Sequence, residues 1–329
     1  MWHTEPARSR PMGRALARAA IALAALLLCA PQTALAGPRQ ARAAFWRYFR
    51  QRFPGIRMSD YARGVPAASG QHPGPRASLY AAALTKGRRL WTTPFPNGHT
   101  YAGCFAHGGV GAAAAYPRFD IATGSVQTLE MALNACRVHN GLPAYHSLVR
   151  GPLVDLDAYC KALAIGRTIH ITLPTRAAIR AFARGEHFFW ARRGQRNFSC
   201  ATCHVQHAGQ HLGHAILTAA LGQGAHFPLY RPATRTWIPI ARQYRHCLHR
   251  AGMVPLSADS RTYRDLLLYE MYMNNGLPLA GPDLAPRSTP IPRNKSTTPA
   301  SLPTAENFAG KQLLSRAAVC FSTLDRGFS

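Results

Sequence analysis

The first chemical signal lies in five consecutive residues, Cys200-Ala201-Thr202-Cys203-His204. Three chemistries use that spacing. Two thiols three positions apart can close a small disulfide beside an unrelated histidine. They can supply half of a zinc site, which needs further thiol or imidazole ligands, and no second closely spaced cysteine pair exists in the chain. Or they can add to the two vinyl groups on one edge of a haem, with the following histidine under the iron. The third reading uses both thiols and the imidazole. It predicts one covalent haem c held by Cys200 and Cys203, with His204 as proximal ligand.

A haem iron held by His204 has a sixth position to fill. Methionine is the commonest partner, and Met253, Met271 and Met273 follow the motif. Histidine is the next choice, and His207, His211, His214, His226, His246 and His249 are within the same half of the chain. A thiolate is rarer, and Cys247 is the candidate.

The N-terminus decides the compartment. Arg8, Arg10, Arg14 and Arg18 precede an apolar stretch from about Ala19 to Ala30, and Thr33-Ala34-Leu35-Ala36 is a small-residue cleavage site. That is the pattern of a secretory signal peptide, so residues 1–36 are set aside and a periplasmic protein is expected. The full chain of 329 residues has a formal charge of +26. Removing the leader leaves 35 basic and 12 acidic residues, and seven cysteines. An odd number leaves at least one thiol outside any internal disulfide. A pI near 10.9 is the usual mark of a nucleic-acid binder, but export and haem attachment argue against that class. No apolar run beyond the leader is long enough for a membrane span.

The elements that must position these residues repeat. Lys86-Gly87-Arg88-Arg89-Leu90-Trp91 stands before Cys104 as Arg184-Gly185-Glu186-His187-Phe188-Phe189-Trp190 stands before Cys200. Cys136 is followed five residues later by Gly141, and Cys247 five later by Gly252. Helical patterns then close at Gly166 and Gly276. Each half thus reads as a helix, a cysteine site, a helix with a lone cysteine and a closing helix. Helical periodicity covers Phe45 to Phe53 and about 77–86, 126–138, 153–165, 175–189, 210–221, 235–251 and 261–275, separated by Pro- and Gly-rich loops. Few alternating strand patterns are present. The fold expected is mostly α: two duplicated cytochrome c-type domains with long loops, at 37–174 and 175–287, followed by a disordered Ser/Thr/Pro-rich tail at 288–329.

The two halves diverge where the haem would sit. The first has Cys104-Phe105-Ala106-His107, without a second attachment cysteine or a properly spaced histidine. A first haem is therefore not expected. Cys104 and Cys136 would be left without a metal, either as a disulfide closing a loop of about 30 residues, contributing roughly 3–4 kcal/mol, or as two unpaired core thiols. Cys160 reads as a buried helical residue.

The run from Arg193 to His204, together with Tyr244-Arg245-His246-Cys247 and Asn275-Gly276-Leu277-Pro278-Leu279, resembles the SoxA family, the A subunits of the SoxAX cytochromes of bacterial thiosulfate oxidation. The resemblance spans about residues 75–287, and within the family it is similar to the single-haem subgroup. It implies a Cys104–Cys136 disulfide in place of a first haem, His204 and Cys247 as the two iron ligands, and Cys247 as the active-site sulfur. It also implies an L-cysteine S-thiosulfotransferase that joins thiosulfate to a cysteine of the SoxYZ carrier, two electrons leaving through the haem of a SoxX partner. Such a family places an arginine four residues before that cysteine. Here Gln243 stands there, and Arg242 and Arg245 beside it are the candidate substrate-binding groups. The alternative function is a periplasmic monohaem electron carrier without sulfur chemistry. A thiosulfate dehydrogenase would resemble a dihaem protein with two attachment motifs, and only one is present.

Overall fold

The computed structural model describes residues 37–64, 77–212, 215–232 and 234–284. The expected leader, the 288–329 tail, Cys320 and the candidate ligand His214 lie outside them. Helices dominate: α1 Pro38–Arg52, α2 Met58–Tyr61, α3 Ala77–Thr92, α4 Leu129–His139, α5 Pro152–Ala162, α6 Arg176–Trp190, α7 Ile240–Arg250 and α8 Arg261–Met273. Among the described residues none is long and apolar enough to cross a membrane.

Each half is built around one close helix crossing. Gly87 of α3 lies on α5 so tightly that a Cβ would stand 2.1 Å from the Asp155 carbonyl oxygen. Gly185 of α6 meets α8 in the same way, 2.0 Å from the Asp265 carbonyl oxygen. Only a residue without a side chain permits that approach. The residue before each glycine is basic and faces the same aspartate: Arg184 Nε donates to Asp265 Oδ2 at 2.7 Å, and the Lys86 charge pulls down an Asp155 pKa that burial raises. Four residues after each glycine a large ring enters the core. Trp91 packs on Tyr159, with ring centroids 6.0 Å apart, and Phe189 on Tyr269 at 5.2 Å. The structural counterpart of Trp91 is thus Phe189, one residue before the tryptophan that the sequence landmark pairs with it. Trp190 donates instead to the Tyr269 hydroxyl at 3.1 Å.

The equivalence continues through a feature the sequence reading lacks. Strands β1 Arg118–Asp120 and β2 Ser125–Gln127 form an antiparallel hairpin leading into α4. Among strands β3 His211–Leu212, β4 Ala215–Ile216, β5 Leu229–Arg231, β6 Thr236–Ile238 and β7 Asp283–Leu284, β5 and β6 form the matching hairpin into α7. Pro117 and Pro228 stand at corresponding places just before them. The helical pattern expected from 235 therefore starts as strand, and α7 begins at Ile240. The described residues of 210–221, also expected to be helical, are not. They form the β3–β4 hairpin and a turn-rich loop, because the left-handed Gly209, Gly222 and Gly224 bend the chain where a helix would have to continue.

Both α4 and α7 end in the same cap. Gly141 and Gly252 adopt φ of 82° and 77°. The following Leu142 and Met253 amides donate back to the Arg137 and Leu248 carbonyls at 3.1 and 3.0 Å. This double reversal satisfies the last carbonyls of a helix and needs a left-handed residue, hence glycine. It places Cys136 and Cys247 at the same position, five residues before the capping glycine. After the closing helices the two halves join by symmetric backbone pairing. Gly166 N–H donates to the Leu279 carbonyl at 2.8 Å and Gly276 N–H to that of Ile169 at 3.1 Å, while Ile169 and Leu279 donate to Leu277 and Arg167.

Helix α1 falls outside the duplication. It begins at Pro38, several residues before the aromatic periodicity shows, and buries Phe45 and Phe49. Although it lies in the sequence span of the first domain, it rests on second-half elements. Trp46 Nε1 donates to the Met273 carbonyl at 2.7 Å, and Tyr48 Oη to that of Val205 at 3.1 Å.

Candidate functional site

Ser199 starts the helical turn that carries the motif. Its Oγ accepts from Thr202 N at 3.0 Å, and Thr202 Oγ1 accepts from Ser199 N at 3.1 Å. This reciprocal cap satisfies two amides that a helix start leaves open. The turn then widens to π geometry over Thr202–Gln206. Cys200 and Cys203 are half-buried on it. The loop after β4 supports His204 from below: the His204 carbonyl accepts from Ala220 N at 2.8 Å, and its Nδ1 meets the Thr218 carbonyl at 2.9 Å. That contact assigns the Nδ1 proton and the ring orientation, which leaves Nε2 as the metal-binding nitrogen. The Gln223 amide also lies 3.3 Å from Nε2. Burial lowers the His204 pKa, which favours the neutral form that a metal needs.

Helix α7 brings Cys247 to the same place. Its thiol is exposed at the surface, unlike the fully buried Cys160, and it lies within electrostatic range of both Cys200 and Cys203. Crowding by protein pushes its pKa up to about 11, against lowering by the Gln243 amide and the Arg250 charge. Gln243, one turn earlier, donates from Nε2 to Cys247 Sγ at 3.5 Å. The position where a family arginine is expected therefore does face the sulfur, and here it carries an amide.

The arginines divide. Arg242 is exposed on α7. Arg245 turns toward the following loop, where its Nη1 donates to the Leu256 carbonyl at 2.6 Å. Arg250, three residues after Cys247, is the guanidinium whose charge acts on both Cys203 and Cys247. Its i+3 spacing from the cysteine is the sequence signal that could have ranked it above Arg245. His246 shows the density of positive charge: its pKa is lowered by burial and then by Arg250, Arg231 and His249. Behind the site Tyr244 donates to the buried Glu270 carboxyl, whose pKa burial raises to about 7.

The other sixth-ligand candidates lie elsewhere or are engaged. Met271 and Met273 are buried, the former against Gly224. His226 is buried with Nδ1 on the Ala62 carbonyl, and His207 pairs with Gln210. Met253 sits against Gly194. His211, His246 and His249 are exposed.

The donor set fits a haem c: two thiols on one turn, an oriented imidazole after them, and a sulfur from a second helix. A further feature agrees. Arg193 Nη1 is buried without a hydrogen-bond partner, while its guanidinium lies over the Phe188 ring and within electrostatic range of Cys200. A buried guanidinium nitrogen calls for an anion, and the carboxylates on a haem edge are of that kind.

In the first half Cys104 and Cys136 are joined, with S–S 2.01 Å and Cα–Cα 5.9 Å. The cysteine that stands free on α7 is thus tied down at the corresponding position on α4.

Comparison with known proteins places these features in a family. Residues 86–169 match the family model "SoxA/TsdA, cytochrome c domain". The L-cysteine S-thiosulfotransferase subunit SoxA of Chlorobaculum tepidum is 35% identical over 244 residues, covering 73% of this chain and 85% of that protein. The protein of the same name from Allochromatium vinosum is 36% identical over 269 residues, covering 78% and 93%. Among solved structures, SoxXA from P. pantotrophus superimposes with a TM-score of 0.55 at 24% identity, covering 60% of this chain and 75% of that one. That likeness concerns the fold, a mostly α cytochrome architecture.

Proposed function

Because this chain belongs to the SoxA family, we propose that it is the sulfur-handling subunit of an L-cysteine S-thiosulfotransferase, with a single haem c, working in the periplasm beside a SoxX-type cytochrome. The observation that carries the reading is the exposed Cys247 sulfur brought by α7 to the motif that holds Cys200, Cys203 and His204.

Cys200 and Cys203 would hold the haem covalently, His204 and Cys247 would ligate its iron, and Arg193 would pair with its carboxylates. When bound, such a group supplies the redox centre of the subunit. The chain's own residues do the rest. Thiosulfate is a dianion, and Arg242 and Arg250 on α7 with Arg231 on β5 make the approach to Cys247 cationic, which raises the local concentration of such a substrate. Arg245, anchored on the Leu256 carbonyl, adds to that potential and holds the loop after α7. The Gln243 amide donates to the Cys247 sulfur and fixes its direction. The overall reaction forms one S–S bond. A carrier cysteine thiol and thiosulfate would give the cysteine S-thiosulfonate with one proton to solvent and two electrons, for which the SoxX-type partner would be the acceptor. The carrier in this reading is SoxYZ.

Mass spectrometry of the exported protein tests this reading. The expected result is one haem per chain on Cys200 and Cys203, an intact Cys104–Cys136 bond and sulfur-modified Cys247 after exposure to thiosulfate. A Cys247 that never carries sulfur would favour the simple electron carrier, and two haems per chain would contradict the single-haem reading.

A further inference from the structure

A hollow of about 470 Å³ opens beside the Cys104–Cys136 bond in the first half. It lies between the 3₁₀ turn Tyr101–Cys104, α4 and the β1–β2 hairpin, and its volume falls in the ~300–1,000 Å³ range of small-molecule sites. Three observations define its chemistry. First, the bond is reachable: both sulfur-bearing residues line the hollow, and Cys104 is exposed while Cys136 is buried. Second, the lining holds Arg118, His99 and His139 and no carboxylate. Arg118 Nε is engaged by Gln127 Oε1 at 2.9 Å. Asp120 feels the Arg118 charge but forms no ion pair with it among the described residues. Third, the sulfurs have a donor. Asn140 Nδ2 donates to the Cys136 carbonyl at 2.8 Å and also lies 3.5 Å from Cys104 Sγ and 3.8 Å from Cys136 Sγ. Asn97 donates to Asn140 Oδ1 at 2.8 Å, which holds the amide with its N–H groups on the disulfide side.

We propose that this hollow binds a small anionic sulfur nucleophile, of the class of sulfite or an acidic low-molecular-weight thiol, and presents it to Cys104. The nucleophile's sulfur attacks Cys104 Sγ and a new S–S bond forms there. The Cys104–Cys136 bond breaks, and its electron pair leaves with Cys136 Sγ as a thiolate beside the Asn140 amide, to be protonated by water. No outside oxidant or reductant is required, because the nucleophile is the co-reactant. Reactivity follows thiolate character, leaving-group stabilisation and access, and the hollow bears on the last two. The first half is then a second sulfur-handling site in the chain.

The test uses the full exported protein with its haem in place, in native buffer at low salt. Disulfide opening is followed by peptide mass mapping with three probes: sulfite, 2-mercaptoethanesulfonate and neutral 2-mercaptoethanol. The adduct is expected on Cys104. The anionic thiol should react about tenfold faster than the neutral one, the low end of electrostatic steering. Arg118→Gln should bring that ratio close to one and slow sulfite by a similar factor. Ala135→Phe, at an exposed helix position lining the hollow, should slow all three. Charge dependence for sulfite alone assigns the site to a sulfur oxyanion, and for the thiol alone to an acidic thiol. A bond that opens only in denaturant, an adduct on Cys136, or rates indifferent to Arg118 would overturn the proposal.

Discussion

On α4 the cysteine five residues before the capping glycine is bonded to Cys104; on α7 the cysteine at that position is left exposed beside Cys200 and Cys203. The frame around the two is the same. Each half has a glycine that lets two helices touch backbone to backbone, a basic residue whose charge acts on the aspartate beneath it, and a hairpin feeding a helix with an identical cap. What differs is a loop of a few residues. The first half has lost one thiol and the oriented imidazole, and closes the remaining two sulfurs on each other. The frame is held by core packing and backbone contacts that do not involve the cofactor residues. That is why the same frame can hold two bonded sulfurs in one half and a free, exposed cysteine in the other.

The largest effect should come from breaking this difference at Cys247. With Cys200 and Cys203 committed to the haem in this reading, replacing Cys247 with methionine removes the remaining thiol that could carry a sulfane or thiosulfonate group, while a thioether can still serve an iron. Cys247→Met should keep covalent haem and partner binding, yet lower thiosulfate conjugation by about a thousandfold or more, as loss of a reacting side chain does. Full conjugation activity in that variant would reduce Cys247 to a ligand or a packing residue.

The disulfide is the matching element of the first half. Cys104→Ala with Cys136→Ala reopens a loop with a sequence separation of 32 residues, at a cost of about 3–4 kcal/mol in the chain-entropy account. Hydrogen exchange should speed up between Tyr101 and Leu142 and stay unchanged between Ile240 and Met253. Equal loosening in both stretches would mean that the halves do not open separately.

The attachment motif, the two lone cysteines and the glycine landmarks were legible because each demands one residue type: a thiol, an imidazole, or the absence of a side chain. The hairpins were not. Three-residue strands such as Thr236–Ile238 run directly into a helix and share its apolar rhythm, so periodicity merges the two. Residues 210–221 looked helical because Leu212, Ala215, Ile216, Ala219 and Ala220 recur at helical spacing; the flanking glycines and the backbone bonds to Gly209 and His204 prevail. The Trp91 register slipped by one because tryptophan drew the alignment, whereas the fold aligns on the ring four residues after the glycine. The role of Arg250 lay in spacing alone and had no motif to mark it.

A smaller contrast concerns buried carboxyls. The first half buries Asp157 with Lys161, Nζ to Oδ1 at 3.0 Å, near the also buried Glu130. Burial raises the Asp157 pKa from 3.8 to about 7, despite the lowering by Lys161. An acid whose folded pKa lies above its unfolded one holds its proton longer in the folded state. Stability from this group is therefore greatest below the unfolded value and declines as pH rises toward 7. Asp157→Asn should flatten that decline between about pH 4 and 7. An unchanged slope in denaturant melts would show that Lys161 keeps the carboxylate ionised throughout.

The mildest and most symmetric test is at the two crossings. In an ordinary exposed helix, glycine to alanine gains about 1 kcal/mol. Gly87→Ala and Gly185→Ala should do the opposite, because the new methyl would meet a backbone carbonyl at 2.1 and 2.0 Å, and backbone cannot swing aside as a side-chain tip can. Forcing the helices apart should cost about 1–3 kcal/mol at each site. That is a fall in Tm of roughly 2–4 °C per kcal/mol for a chain of this size. The two crossings share no residue, so the double variant should lose the sum. A deficit larger than the sum would show that strain passes between the halves through the paired segments Gly166–Ile169 and Gly276–Leu279. A loss confined to Gly185→Ala would show that the first half can shift to accommodate the new methyl where the second cannot.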